Sequence, residues 1–260
     1  MVLLFLQIPI LQVRLIFQRA KTHNLWFNRA MKRVDRRAFL SYVATVAAVP
    51  HILRGGVASQ HFVEWYQCKT DIRHFLRMYF KVSGREGAPR AYEPHHWLNL
   101  VADDQDNNHY LLKVGAQSSP DTVAAIATHR LVFGSEVSII LGGFAGDVAA
   151  SRKAFETVQF ALGKLPAWML AHALPDGDGS LRLAGGNRLS IDAGRRPCSD
   201  LLITDADLVP PRELERAVDG AGYARVVMTT SKRSYRSPVP CIVLADRALD
   251  SFMGAFDRAN

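Results

Sequence analysis

Two apolar runs, far apart in the chain, end in residues that could do chemistry. Leu111-Leu112-Lys113-Val114-Gly115 leads into a loop and a helix start, and Leu201-Leu202-Ile203-Thr204 leads into Asp205. Short continuous apolar runs of this kind read as buried parallel strands. A helix start after one such strand can hold phosphate on its free N–H groups, and a carboxylate after another can hold nucleotide-bound magnesium. The pair frames a nucleoside-triphosphate site. The frame is damaged, because the loop Ala116-Gln117-Ser118-Ser119-Pro120-Asp121-Thr122 lacks the Gly-Lys-Ser/Thr ending of a phosphate-cradling loop.

The elements that must position these residues alternate. Apolar residues from His61 to Val82 recur at three- and four-residue steps and predict one helix with a broad buried face. Ser83 to Pro89 reads as a loop, and Pro94 opens a second helix through Val101. His109 to Val114 is a strand. Ser119 as cap and Pro120 in the first turn start a helix that runs to about Phe133. A strand over Glu136 to Leu141 and a helix over Gly146 to Leu162 follow, the unit ending at Leu165-Pro166-Ala167-Trp168. Pro175 to Gly179 is turn-rich, and Ser180 to Leu183 pairs with Asn187 to Ile191 in a hairpin across Gly185-Gly186. Leu201 to Thr204, Ala224 to Thr229 and Cys241 to Leu244 are further strands; Pro211 to Val218 and Arg247 to Phe256 are helices. The fold class predicted is α/β, a mostly parallel twisted sheet flanked by helices, with ligands outside the carboxyl ends of the strands.

At 260 residues and 48% hydrophobic content the chain can bury one sizeable core. Its net charge of +8 suits a polyanionic partner, or is simply a basic surface. Cys68, Cys198 and Cys241 are odd in number and far apart, which fits neither a disulfide framework nor a zinc site and points to a reducing compartment. There is no Gly-x-Ser-x-Gly nucleophile turn, no Cys-His catalytic spacing and no His-Glu-x-x-His zinc helix. Trp65, Trp97 and Trp168 read as packing residues.

Residues 1–60 read as an extension, apolar then basic, ahead of a domain over 61–260. Met1 to Phe17 is interrupted by Gln7, Pro9, Gln12 and Arg14 and makes a poor membrane span. Met31 is an alternative start. From there Arg36-Arg37 and an apolar stretch resemble a twin-arginine export signal, although an amphipathic helix with a basic face explains the same residues.

From Cys68 to about Ser234 the chain resembles the ATPase domain of the large terminase subunit, the motor that packages DNA into tailed-phage capsids. Cys68 to Val82 looks like the family's entry helix, and His96 or Trp97 stands where an adenine-reading Gln is usual. Leu111 to Val114 and Gln117 match the phosphate-loop region, and Thr122 to Phe133 the helix after it. Gly185-Gly186-Asn187 and Arg195 lead to Asp205 as in the second acidic motif, and Val226 to Thr230 is similar to the coupling strand. No nuclease domain follows, so cutting DNA in that way is not expected.

The resemblance implies ATP and magnesium as cofactors, double-stranded DNA as partner, portal or other packaging subunits as further partners, a homo-oligomer, no membrane, and the host cytoplasm. It assigns phosphate contacts to Lys113, Gly115, Gln117, Ser118 and Ser119, with His96 near the base. Thr122 and Asp205 would hold magnesium, Asp205 and Asp207 would be catalytic, and Arg195, Thr229 and Thr230 would sense the γ-phosphate. The departures fall on these same places. Pro120 removes an N–H donor, and Asp121 puts a carboxylate in the positive field of the helix start. Ala206 replaces the Glu that would activate water. Asp207, in an extended continuation, would lie on the same side as Asp205 and act as a displaced base. Lys113 either stands in for the missing lysine, as at the loop start of some terminases, or is a strand-end lysine reaching solvent. Two readings follow: a divergent DNA-packaging ATPase with degenerate motifs, or an inactive structural or regulatory relative that binds DNA or a packaging partner.

Overall fold

The computed structural model describes residues 57–245 except 85–86, 105, 107, 116–117, 145–147, 170–172, 176–178, 184 and 193–195. The sequence-expected helix at Arg247 to Phe256, the export-like segment around Arg36-Arg37, Gln117 and Arg195 lie outside the described residues. The chain divides into two compact units, residues 1–58 and 59–260, and the sheets lie wholly in the second.

In chain order the elements are α1 (Val57–Thr70), α2 (Ile72–Met78), β1 (Lys81–Ser83), β2 (Pro89–Ala91), α3 (Leu98–Ala102), β3 (His109–Lys113) and α4 (Ser119–Phe133). Then come β4 (Ser138–Gly142), α5 (Val148–Leu162), β5 (Ala173–Pro175), β6 (Ser180–Leu183), β7 (Arg188–Asp192) and β8 (Asp200–Ile203). A short 3-10 helix (Ala206–Leu208), α6 (Pro211–Ala221), β9 (Arg225–Thr230) and β10 (Ile242–Ala245) complete the set. Eight strands form one sheet in the order β10-β3-β9-β8-β4-β7-β6-β5. Pairing is parallel from β10 to β7 and antiparallel at β6 and β5. This is the predicted mostly parallel α/β sheet, and the apolar strands are its physical cause, because a strand covered on both faces has no place for polar side chains.

Successive strand residues serve opposite faces. Leu112, Ile139, Leu141, Leu202 and Val227 join one core with α1 to α5. Leu111, Ile140, Leu201, Ile203, Val226 and Met228 join a second core under α6. α4 is buried at nearly every position. Asn187 fastens its end: the amide donates to the carbonyls of Leu131 at 2.8 Å and Gly134 at 2.9 Å, and its oxygen accepts from Val137 N–H. The hairpin turn before it uses Gly186 at φ 88°, a conformation that glycine adopts without steric cost.

The structure corrects several expected boundaries. The helix predicted from His61 to Val82 breaks at Asp71, whose carboxylate accepts from Arg73 N–H at 3.0 Å and His74 N–H at 3.2 Å and so caps a new helix. Val82 lies instead in a hairpin, β1 against β2, flanking the segment read as a loop. The helix expected from Pro94 begins at Leu98, and β5 was not foreseen beside the turn-rich segment. Ser118, not Ser119, occupies the cap position of α4. Trp97 is buried, and Trp65 and Trp168 pack on the same core, as read from the sequence.

Candidate functional site

β3 and β8 are not neighbours: β9 runs between them, hydrogen-bonded to both. The carboxyl ends of the three strands therefore present Lys113, then Thr229 and Thr230, then Thr204 and Asp205 in one row. The start of α4 closes on this row. Ser119 Oγ lies 2.6 Å from Thr229 Oγ1 and accepts from Asp205 N–H at 3.3 Å, while Thr229 donates to the Ile203 carbonyl at 3.3 Å. The helix after β3 and the acid after β8 thus meet at one point, as the sequence reading required.

Asp205 has φ 43° and ψ 50°, in the left-handed region. Asp tolerates that region better than most residues, yet a non-glycine backbone held there carries strain and is a feature of functional sites. The turn also redirects the chain. Residues 206–208 are 3-10, not extended, so Asp207 is not the same-side neighbour of Asp205 that an extended continuation would give. Its carboxylate instead accepts from Thr230 Oγ1 at 2.6 Å and pairs with Lys232 Nζ at 3.1 Å. Burial pushes the Asp205 carboxyl above its ordinary range, with the Ser119 hydroxyl and Lys153 pulling it down and Asp207 pushing it up. Burial also raises Asp121, against Lys153 and Arg90, whose guanidinium lies 3.3 Å away. Lys153 of α5 faces this row electrostatically and was missed in the sequence, where only its place near a helix start marks it. Replacing Asp205 by Asn, which keeps left-handed tolerance and removes the crowded charge, is expected to stabilise the fold by about 1 kcal/mol in urea unfolding. A lowered urea midpoint would show that the charge is needed for folding.

The other assigned residues fall into place differently. Thr122, one turn further along α4, is fully buried with its hydroxyl 3.0 Å from Tyr92 OH. Ser119 is what the first turn of α4 brings to Asp205. Lys113 Nζ donates to the Arg233 carbonyl. His96 is exposed, beside the stacked pair His95 and Trp97. Val114 N–H still bonds the Thr230 carbonyl in the sheet, and α4 begins at Ser119, so four residues join them. Of these, Ser118 donates twice to the Gly115 carbonyl, from its N–H at 2.9 Å and from its Oγ at 2.7 Å.

Among the described residues, the groups that a phosphate loop would turn to magnesium and a nucleoside triphosphate are missing or engaged elsewhere. Such a loop needs several free, inward N–H groups and a hydroxyl for the metal. Here Ser118 N–H is spent on Gly115, Pro120 has none, the Thr122 hydroxyl belongs to Tyr92, and the Ser119 hydroxyl is held by Thr229 and Asp205. The Asp121 carboxylate stands in the first turn of the helix.

No protein-family model matches the chain, and no curated protein matches it. Its fold is similar to that of phage large terminases. The HK97 bacteriophage large terminase aligns at 14% identity and a TM-score of 0.46, over 63% of this chain and 37% of that one. The ATPase domain of the Thermus phage P74-26 large terminase aligns at 13% identity and a TM-score of 0.43, over 56% of this chain and 67% of that one. The chain thus spans little more than a third of the HK97 protein. Among the described residues no helix is long and apolar enough to cross a membrane.

Proposed function

We propose that this chain is a terminase-like ATPase-fold protein of phage or prophage origin whose nucleotide site is degenerate, and that it serves DNA packaging by binding DNA or a packaging partner without turning over ATP. The observation that carries this reading is the first turn of α4, where Pro120 and Asp121 stand and Ser118 N–H is already bonded to the Gly115 carbonyl. A phosphate entering there would meet a carboxylate in place of a lysine, and two like charges about 4 Å apart repel by roughly 4 kcal/mol at an effective dielectric of 20. The terminase part of the reading is supported by the order of motifs from Cys68 to Ser234 and by the meeting of Ser119 with Asp205. The net charge of +8 supports a polyanionic partner, with Lys232, Arg233 and Arg236 next to the row of strand ends.

A second reading, a slow ATPase, draws on the strained Asp205 and on Lys113 at the loop start. Titration calorimetry with magnesium-ATP separates the two. No heat is expected at millimolar nucleotide, while duplex DNA is expected to bind with a steep salt dependence that Asp205→Ala leaves unchanged. Nucleotide heat together with turnover abolished by Asp205→Ala would establish the ATPase instead.

A further inference from the structure

Away from the row of strand ends, the break between α1 and α2 gathers three side chains of a different kind. Glu64 and Cys68 are four residues apart on α1 and so share a face, and the cap at Asp71 turns α2 back to bring His74 against them. His74 Nε2 lies 2.8 Å from Glu64 Oε1, and the Cys68 thiol lies 3.7 Å from the same oxygen. All three ligand atoms fall within 4.8 Å of one another, the one place among the described residues where three such groups meet.

We propose that Glu64, Cys68 and His74 form a binding site for one divalent cation of the zinc class. The donor set of thiolate, imidazole and carboxylate is the one that borderline-soft zinc selects. Bond lengths of about 2.3 Å to sulfur and 2.0 Å to nitrogen or oxygen place tetrahedral ligand atoms about 3.3–3.6 Å apart. The Glu64–Cys68 spacing of 3.7 Å is close to that range, the shorter Glu64–His74 contact is a hydrogen bond that a metal would open by about half an ångström, and the ion would draw Cys68 and His74 toward each other from within 4.8 Å. Two of the ligands have neighbours that can orient them: Tyr79 OH donates to Glu64 Oε1 at 3.0 Å, and the Gln67 amide, whose nitrogen lies 3.3 Å from His74 Nδ1, would turn its oxygen to accept Nδ1–H once a metal takes Nε2. Cys68 is buried, whereas the side chains of Glu64 and His74 are 28% and 22% exposed, which leaves water a fourth position. Binding releases one proton, from the Cys68 thiol, to solvent. The bound ion would clip α1 to α2 across the break, a link independent of the proposed DNA-packaging role. The spacing of the cysteines alone gave no zinc site in the sequence; Glu64 and His74 join Cys68 only because the cap at Asp71 turns α2 back.

The test uses the untagged full chain stripped with chelator, then titrated with cobalt(II) chloride or zinc chloride alone. Cobalt is expected to give a sulfur-to-metal charge-transfer band with intense tetrahedral d–d absorption, saturating at one ion per chain. Cys68→Ser should abolish the band, His74→Gln and Glu64→Gln should weaken binding at least tenfold, and Cys198→Ser and Cys241→Ser should change nothing. Zinc should raise the thermal midpoint by several degrees in the wild type and not in His74→Gln. Absence of the band, or a band that survives Cys68→Ser, overturns the proposal and leaves a hydrogen-bonded pin between two helices. If Cys68→Ser does not fold, equal cobalt affinity in the wild type and in His74→Gln overturns it.

Discussion

Asp200→Ala is expected to cost about 3–5 kcal/mol of folding stability, the penalty for stranding buried charge. Asp200 is fully buried at the start of β8, and Arg225 at the start of β9 is 2% exposed. Arg225 Nε donates to Asp200 Oδ1 at 2.8 Å, Arg130 of α4 donates to Oδ2 at 3.2 Å, and Arg225 Nη1 donates to the Val101 carbonyl at the end of α3. One carboxylate therefore pairs with two guanidinium groups and joins two strands and two helices at the amino-terminal side of the sheet. Burial already pushes Arg225 below its ordinary range, with Asp200 holding it up and Arg130 adding to the depression. Without the carboxylate, Arg225 keeps only the weaker pull of Asp104. Denaturant unfolding measures the loss. Asp200→Ala combined with Arg225→Met should be much less destabilised than Asp200→Ala alone, since it removes both fully buried charges and leaves only the part-exposed Arg130 without its partner. Equal losses in the two variants would mean that packing, not charge, sets the cost.

Acidification is the second large effect expected. His129 of α4 is buried against α1 and α2, its Nε2 donates to the Cys68 carbonyl at 3.0 Å, and Nδ1 has no hydrogen-bond partner. A proton added at Nδ1 would be a buried charge facing the rings of Phe75 and Phe133. Burial accordingly lowers the histidine from 6.5 to about 4, helped by Arg130 and Arg225, with the Cys68 carbonyl and Asp71 working the other way. Between those two values the unfolded chain takes up a proton that the fold refuses, so stability falls as the pH falls through that window. The loss reaches about 3 kcal/mol by the lower end, at ~1.4 kcal/mol per pH unit. Asp121 and Asp205 run in the opposite sense: their folded carboxyls are raised, so protonating them relieves the fold as pH falls and offsets part of the loss. Urea midpoints from pH 7 to 4 for the wild type and His129→Gln test this. The variant should be flatter over that range, and identical slopes would place the acid sensitivity elsewhere.

Much of this architecture is legible in the linear chain because its cause is local. Leu111-Leu112, Leu201 to Ile203 and Val226 to Met228 are apolar on both alternating faces, and short runs of this kind between turn signals read as strands covered by helices on each side. Pro120 and the apolar residues behind it fix α4, and Pro211 fixes the start of α6. Where the reading failed, a single side chain overruled periodicity. Asp71 stops a helix whose apolar pattern continues past it, since the pattern records burial and not the path of the backbone. The course of the chain after Ile203 was misread for a similar reason: nothing in Asp205-Ala206-Asp207 announces a left-handed residue, and that one angle sends the two carboxylates to different partners.

By itself the sequence determined the alternation of elements, the strands that are buried on both faces, and the loss of the lysine and glycine that a phosphate loop needs. Each of those follows from residue type at a position. The tertiary structure alone decided which groups meet. Placing β9 between β3 and β8 sets Thr229 and Thr230 between the two strand ends, and the pitch of α4 gives Ser119 rather than Thr122 to Asp205. The break at Asp71 carries His74 to Glu64 and Cys68. Contacts across such sequence separations depend on strand order and helix phase, which no local propensity encodes.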